Sequence, residues 1–330
     1  FHLYMKSCHI MKKLNNFKIL FITIIIHGCF SLFCQNECSI WLLNNNLALD
    51  FTSSPPSFIT FNTNFSGEYE SCVVGCDEIS GDLLFYANGF RVWNENHKLM
   101  TNSGDSWENF FSTAQGSSVV KSSKKDIFYL FSLESYDKNG RLLISEINTK
   151  IHDGLGDVVF SKEIGRGFTE HMIAVNHPCN GIWLILHERE NNTFVAHHLV
   201  EDQVLKVVKS SVGIDYSSSF FNGKFIGGLF MNRYNILISL NFFGFYETFK
   251  FDPYSGHISQ PLLIESGKPF ISGSFSPNDS LFYVASGDLK SSWIDQYDFT
   301  QYGSDAIRNS KTKVGVIEDQ ILVPVSKMAL

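Results

Sequence analysis

Short apolar runs, each preceded by a polar turn, recur along most of the chain. The turns are rich in Ser, Gly, Asn and Asp and lie roughly 44 to 56 residues apart. The runs that follow them are Leu83–Ala87, Ile127–Phe131, Ile182–Leu186, Ile236–Leu240 and Leu281–Ala285. Apolar residues fill consecutive positions, as expected where neighbouring sheets cover both faces of a strand. The pattern predicts buried β-strands at a long, regular spacing.

Each apolar run lies between two further predicted strands. A short strand precedes the turn, and a third strand with mixed polar and apolar faces follows, as in Arg141–Ile147, Phe194–Val200 and Trp293–Phe299. No segment of ten or more residues has a clean helical period. Repeated four-stranded units of this length are typical of β-propeller blades, whereas a β-sandwich has turns every 8–12 residues without the longer spacing. The predicted fold is an all-β propeller of four-stranded blades.

The number of blades depends on the two ends of the chain. Residues 39–65 are expected to supply outer strands ahead of the first complete unit, and five units follow. Ile321–Leu330 resembles the first strand of another blade, so about six blades are expected, with the C-terminal one incomplete. The predicted domains are 1–34, which comprises upstream residues and a signal peptide, and 35–330, a propeller truncated at its C-terminus.

The signal-peptide prediction comes from the first 34 residues. They contain four lysines and no acidic residue, and Lys12, Lys13 and Lys18 precede the apolar run Ile19–Ile26. A basic segment, a short apolar segment and small residues beyond it are typical of a secretory leader, and the run is short for a membrane span. Cleavage is expected near Gln35. The protein is therefore expected to be secreted or at the cell surface, or periplasmic if no sorting domain follows, without a membrane span after cleavage.

Composition and charge further limit the fold class and the partners that the sequence allows. The chain of 330 residues is 44% hydrophobic and 15% aromatic, with 31 Phe and only 8 Pro, which favours β-structure and a large core. Its net charge is −7, and removal of the four leader lysines makes it −11. Phosphate binding requires a basic surface, so nucleic acid is excluded as an expected partner. A soluble monomer is expected.

Four cysteines remain after the leader: Cys38, Cys72, Cys76 and Cys179. Disulfides persist in the oxidising compartments that exported proteins reach, so all four are candidates for disulfide bonds. Four cysteines allow three complete pairings, and the sequence does not select among them. A zinc site at Cys72 and Cys76 lacks the second ligand pair that such sites need.

Several ordered motifs resemble a recurring WD40-like N-terminal propeller of exported Bacteroidetes proteins, which are linked to gliding motility and type IX secretion. The most specific part is residues 80–100, and the resemblance covers most of residues 39–330. The other matching segments are Trp41 with Leu49–Phe51, Glu70–Cys72, Gly154–Val158, Thr169–Gly181 with Trp183 and His187, and Phe275–Tyr283. The resemblance implies a secreted propeller with seven blades in the full protein.

No catalytic or metal-binding motif is found. His171, His177 and His187 fall within one repeat, and His197 and His198 follow, but they lack the spacing that places metal ligands on one face. We expect these histidines to make hydrogen bonds at strand ends between blades.

The remaining candidate motifs also fit structural roles. Asp137–Gly140 and Asp252–Gly256 lack the alternating oxygen ligands of calcium loops and are expected to be hairpin turns. Gly165–Gly167 and Gly227–Gly228 do not precede helices, so they do not match phosphate loops. No cofactor is expected, and ligand-binding residues are not identified by the sequence.

Two functional hypotheses follow. The first is a non-catalytic binding or adhesion module that takes a protein or glycan ligand at one propeller face or at the central mouth. The second is an enzyme on the same scaffold, either a polysaccharide lyase or hydrolase or a quinoprotein-type dehydrogenase, because propellers host both classes. The side chains that line the central channel are expected to separate the two.

Overall fold

The computed structural model describes residues 40–42, 47–60, 71–89, 91–104, 113–135, 138–217, 225–242, 244–287 and 291–318. Within these ranges the chain forms six antiparallel sheets and one short helix. In every sheet the strands pair in chain order, so each sheet is a meander of consecutive hairpins. No helix in the described part of the chain has the length and apolar character needed to cross a bilayer.

The six sheets are the blades, numbered here in chain order. Blade 1 contains β1 (Ile40–Leu42), β2 (Leu47–Asp50) and β3 (Ser57–Thr60). Blade 2 contains β4 (Val73–Cys76), β5 (Leu83–Asn88) and β6 (Arg91–Asn94). Blade 3 contains β7 (Ser117–Lys121), β8 (Ile127–Leu133), β9 (Leu142–Asn148) and β10 (Asp157–Gly165).

The other three blades also have four strands each. Blade 4 contains β11 (Phe168–Asn176), β12 (Ile182–Glu188), β13 (Thr193–Val200) and β14 (Gln203–Ser211). Blade 5 contains β15 (Gly227–Met231), β16 (Ile236–Asn241), β17 (Phe245–Phe251) and β18 (Ile258–Ser266). Blade 6 contains β19 (Phe270–Phe275), β20 (Leu281–Gly287), β21 (Ser291–Asp298) and β22 (Thr312–Glu318), with helix α1 (Ser304–Asn309) between its last two strands.

The first strands of successive blades lie beside one another, from β1 through β4, β7, β11 and β15 to β19. This is the arrangement of a propeller, in which the first strand of each blade is innermost. The predicted all-β propeller is therefore confirmed. The second strands β5, β8, β12, β16 and β20 each begin at the residue that the apolar pattern predicted.

Blade 1 differs from the expectation in its inner strand. The sequence predicted only outer strands for residues 39–65, but β1 pairs with β2 and lies against β4, in the innermost position. Ile40 and Ile59 pack against a core formed by Ala48 with Tyr86 and Trp93 of blade 2. This packing buries the apolar side of the first sheet, which explains why it stacks on blade 2.

The hydrophobic core is divided among the interfaces between blades. In β8, Tyr129 and Phe131 pack toward blade 4, whereas Phe128 and Leu130 pack toward blade 2. The second strands are apolar at consecutive positions because both of their faces are buried in this way. Full burial of one such side chain stabilises the fold by about 1.5–3 kcal/mol, so the interfaces between blades hold most of the apolar stabilisation.

The ring has two faces, which are named here by their loops. The hairpin face carries the turns between the first and second strands and between the third and fourth strands of each blade. The connection face carries the turns between the second and third strands and the segments that link one blade to the next. On the hairpin face, neighbouring blades are tied by Lys121 to Glu78 and by Arg233 to Asp279.

The outer strand of blade 5 is covered by α1. Arg308 of this helix donates hydrogen bonds to the carbonyl oxygens of Ile264 and Leu263 on β18. Edge strands with unpaired backbone groups invite pairing with other chains, and a helix laid over the edge prevents it. The predicted signal peptide and the predicted C-terminal strand Ile321–Leu330 lie outside the described residues.

Candidate functional site

A buried glutamine side chain links the innermost strands of two blades to the segment that enters a third. Gln115, in the segment that enters blade 3, accepts hydrogen bonds from the backbone N–H groups of Met172 (3.1 Å) and Leu229 (2.7 Å). Its Nε2 group donates to the carbonyl oxygen of Leu229 at 2.9 Å. Met172 lies in blade 4 and Leu229 in blade 5, so one buried amide joins three blades.

A cleft of about 200 Å³ opens between blades 3 and 4 on the hairpin face. Its floor is apolar and is formed by Val120, Phe131, Ile182 and Leu199. Its rim is polar, and the rim residues are Lys121, Ser122, Ser123, Tyr129, Asn176, Asn180, Gly181 and Glu201. Binding sites for small molecules commonly combine an apolar floor with a few well-placed polar groups. This cleft is the candidate functional site.

Glu201 is the central polar group of the cleft. It occupies the turn between β13 and β14 of blade 4, with φ of 53°. The hydroxyls of Ser122 and Ser123 in blade 3 donate hydrogen bonds to its carboxylate. Tyr129 Oη lies 3.1 Å from Glu201 Oε2 and also 3.1 Å from Glu146 Oε2. A single phenol proton therefore faces two carboxylate acceptors.

The electrostatics of the cleft keep Glu201 ionised. Burial alone would raise the pKa of this carboxyl, but hydrogen bonds from Ser122, Ser123 and Tyr129 lower it below its usual value. Burial, followed by the hydrogen bond to Glu201, raises the pKa of Tyr129. Lys121 at the rim pairs with Glu78 of blade 2. In the described part of the chain, neither Glu201 nor Glu146 forms an ion pair with a basic side chain.

Two stacked histidines shape the rim on the blade 4 side. The rings of His177 and His198 lie 4.2 Å apart with planes 22° from parallel. His177 Nδ1 accepts hydrogen bonds from the backbone N–H groups of Cys179 (3.1 Å) and Asn180 (3.3 Å), and His198 Nε2 donates to the Asn180 carbonyl at 2.9 Å. Burial, with His198 nearby, lowers the pKa of His177. Both histidines hold the turn that places Asn180 on the cleft.

The interface between blades 4 and 5 contains two deeply buried histidines. His171 Nε2 donates to the Leu240 carbonyl of blade 5 at 3.0 Å, and Nδ1 lies 2.9 Å from the Thr169 hydroxyl. His187 Nδ1 donates to the Glu188 carbonyl at 2.7 Å. Burial lowers the pKa of His171 to about 3 and that of His187 to about 4. Both rings are therefore neutral hydrogen-bonding groups inside the fold.

The same interface buries a carboxyl group. Glu247 is 5% exposed, and both of its oxygens accept from the backbone N–H of Ile214, at 3.1 and 3.3 Å. Burial raises its pKa to about 7. In the same region the rings of Tyr216 and His187 lie 4.5 Å apart, with planes tilted by 32°. These groups have perturbed pKa values, but none of them lines the cleft between blades 3 and 4.

The other sequence candidates have structural positions. Asp252–Gly256 forms the turn between β17 and β18, where Asp252 accepts from the Tyr254 N–H and the Ser255 hydroxyl. Gly165–Gly167 joins blades 3 and 4, and Gly227 begins β15. Asp137, in the other calcium-like motif, lies outside the described residues. Within the described residues, no group of three His, Cys, Asp or Glu side chains could hold a metal ion.

The described cysteines do not bond to one another. Cys179 is exposed in blade 4, and Cys72 and Cys76 lie at the two ends of one strand segment in blade 2. Four extended residues span about 13 Å, which is beyond the Cα separation of a disulfide. Cys38 lies outside the described residues, so a disulfide that includes it stays a prediction.

No family model and no curated protein matches the sequence. Solved structures with some likeness include two proteins provisionally described as 6-phosphogluconolactonases. The one from Bacteroides fragilis shares 11% identity over 85% of this chain and 94% of its own, with a TM-score of 0.39. The one from Bacteroides uniformis shares 10% identity over 84% of this chain and 83% of its own, with a TM-score of 0.46. A protein from Lactobacillus plantarum shares 12% identity over 75% of this chain and 66% of its own, with a TM-score of 0.41. Likeness at this level says nothing of activity.

Proposed function

We propose that this propeller is an exported, non-catalytic binding module that takes a carbohydrate ligand in the cleft between blades 3 and 4. The cleft itself is the observation that carries the proposal. Its apolar floor suits the C–H face of a sugar ring, and its hydroxyl, amide and carboxylate groups suit sugar hydroxyls.

A glycan array probed with the purified protein tests this proposal. Asn176→Trp places a bulky side chain at the cleft rim, where Asn176 is exposed, and should abolish the signals. Asn139→Trp adds the same side chain to the connection face and should leave them unchanged. If no glycan is retained, or if Asn176→Trp binds as the unmodified protein does, the proposal is wrong.

Export belongs to the same proposal. Its support is the basic and apolar pattern of residues 1–34, together with the resemblance to propellers linked to gliding motility and type IX secretion. In this account the protein acts at the bacterial surface or outside the cell as a monomer. N-terminal sequencing of exported material should begin near Gln35, and material that retains Lys12 and Lys13 would contradict it.

An enzyme on the same scaffold is the second candidate, and Glu247 is the feature that favours it. A carboxyl with a pKa of about 7 suits a general base, and His187 and Tyr216 lie in the same interface. All three side chains are buried, however, and the Glu247 oxygens accept from the backbone. Turnover of a polysaccharide that is lost in Glu247→Gln and kept in Glu201→Gln would favour the enzyme over the binding module.

A further inference from the structure

In the cleft between blades 3 and 4, the Glu201 carboxylate forms no ion pair with a basic side chain of the described residues, although the charge of Lys124 helps to lower its pKa. Glu201 is surrounded by three hydroxyl groups, from Ser122, Ser123 and Tyr129. Hydroxyls stabilise a carboxylate through hydrogen bonds but do not neutralise it. Lys121, the basic residue of the rim, is paired with Glu78, and Lys162 is paired with Asp202.

The hydrogen bonds of Tyr129 also indicate that the two carboxylates can accept further donors. Its hydroxyl has one proton, and its oxygen lies 3.1 Å from a carboxylate oxygen of each of two glutamates, Glu146 and Glu201. Each carboxylate oxygen accepts more than one hydrogen bond, so donors from a ligand would add to those already present. The hydroxyl of Ser122 is itself held by the Lys124 backbone N–H at 2.9 Å, which fixes the direction of its own proton toward Glu201.

The other residues that line the cleft limit the size of a ligand and provide its other contacts. The floor of Phe131, Ile182 and Leu199 offers an apolar surface beside the carboxylate. Asn176 and Asn180 are exposed at the rim, and within the described part of the chain their amide groups make no hydrogen bond. The volume of about 200 Å³ limits the occupant to one small ring.

We propose that the cleft selects an amino sugar, whose ammonium group binds Glu201 and whose hydroxyls bind Asn176 and Asn180. This inference rests on the proposed carbohydrate function and specifies the ligand class of the same site. The ammonium would place a positive charge in direct hydrogen-bond contact with Glu201, which no basic side chain of the described residues does. The apolar face of the sugar ring lies on the floor of the cleft.

Isothermal titration calorimetry with three sugars and the purified protein tests the inference. Glucosamine carries the ammonium group, N-acetylglucosamine replaces it with a neutral amide, and glucose replaces it with a hydroxyl. We expect glucosamine to bind roughly tenfold or more tightly than either neutral sugar, because a charge-assisted hydrogen bond is worth more than a neutral one. Equal binding of all three sugars would overturn the ammonium assignment and leave the carbohydrate proposal intact.

Matched variants locate the selectivity. Glu201→Gln keeps the size of the side chain and removes its charge, so it should remove the preference for glucosamine. Glu190→Gln lies at the opposite end of β13, on the connection face, and should keep the preference. Selectivity that persists in Glu201→Gln would overturn the inference.

Two further outcomes separate this inference from the proposed function. If none of the sugars binds, and the glycan array is also negative, the carbohydrate function itself fails. If Nα-acetyl-lysine methylamide binds more tightly than glucosamine, the cleft is a peptide site for a lysine side chain, and the amino-sugar proposal is wrong.

Discussion

Blade 4 meets its two neighbours through interfaces of opposite character. On the blade 5 side, His171 and Glu247 are buried; His171 donates to the Leu240 carbonyl, and Glu247 accepts from the Ile214 N–H. On the blade 3 side, the interface opens into a cleft where Glu201 is held by hydroxyl groups. Both interfaces come from the same repeated hairpin pattern.

The difference shows how burial decides what a polar group can do. At the closed interface, burial favours the neutral form of each group. It lowers the pKa of His171 to about 3 and raises the pKa of Glu247 to about 7. At the open interface, hydrogen bonds outweigh burial and Glu201 stays charged. The closed interface therefore stabilises the ring, whereas the open interface presents the charged Glu201 side chain, which can bind a ligand.

Gly227→Ala should have the largest effect, because it disrupts the closed interface. A Cβ at this position would lie 2.1 Å from the Leu240 carbonyl oxygen and 2.4 Å from His171 Nε2, the two atoms of the hydrogen bond between blades. We expect the free energy of unfolding to fall by about 3 kcal/mol or more. Gly315→Ala is the control, because its nearest contact would be an ordinary 3.8 Å. Urea unfolding that gave the two variants equal stability would show that the contact is unimportant.

Gln115→Leu should have the next largest effect, because Gln115 connects both interfaces. Leucine has a similar volume but leaves the N–H groups of Met172 and Leu229 without their acceptor. The expected loss is about 2–3 kcal/mol, since each unsatisfied buried group costs about 1–3 kcal/mol. The exposed Gln203→Leu should change stability by less than about 0.5 kcal/mol. Similar melting curves for both variants would contradict the role of Gln115.

Glu247→Gln should change the pH dependence of stability. The pKa of Glu247 is about 7 in the folded protein and near 4.5 when unfolded, so its contribution is present at low pH and is lost as pH rises to 7. His171 and His187 act oppositely, because their lowered pKa values reduce stability as pH falls below 6.5. Relative to the unmodified protein, Glu247→Gln should gain about 2 kcal/mol between pH 5 and pH 8. Chemical unfolding at both pH values checks this, and an unchanged difference would contradict it.

Glu201→Gln should have the smallest effect on stability. Glutamine keeps one carbonyl oxygen that can accept from Ser122, and the hydroxyl of Ser123 can rotate to accept from its amide. We expect a loss of less than about 1 kcal/mol in urea unfolding. A loss as large as that of Gly227→Ala would mean that Glu201 serves the fold, and the contrast between the two interfaces would disappear.

The sequence predicted the blades well because their signal is local. Apolar runs such as Ile127–Phe131 follow polar turns directly, and burial on both faces leaves a continuous pattern that needs no knowledge of distant residues. The innermost position of β1 was missed, because a three-residue strand carries too little pattern to show where it packs.

The candidate site could not be predicted from the sequence. Glu201 and Ser122 are 79 residues apart, and they meet only because the hairpins of two blades lie side by side. Gln115 was missed for the same reason, since its partner Leu229 is 114 residues away and no motif marks either residue. The sequence showed that the histidines cluster. It did not show that His177 and His198 stack and that His198 bonds to the Asn180 carbonyl, which places Asn180 at the cleft.

A crystal structure of the protein grown with glucosamine tests the central claim most directly. The account predicts the sugar between blades 3 and 4, with its ammonium group within hydrogen-bond distance of Glu201 and its ring on Phe131 and Leu199. The interface between blades 4 and 5 should remain closed and without ligand. Glucosamine bound at the connection face, or at the interface that holds Glu247, would contradict the account.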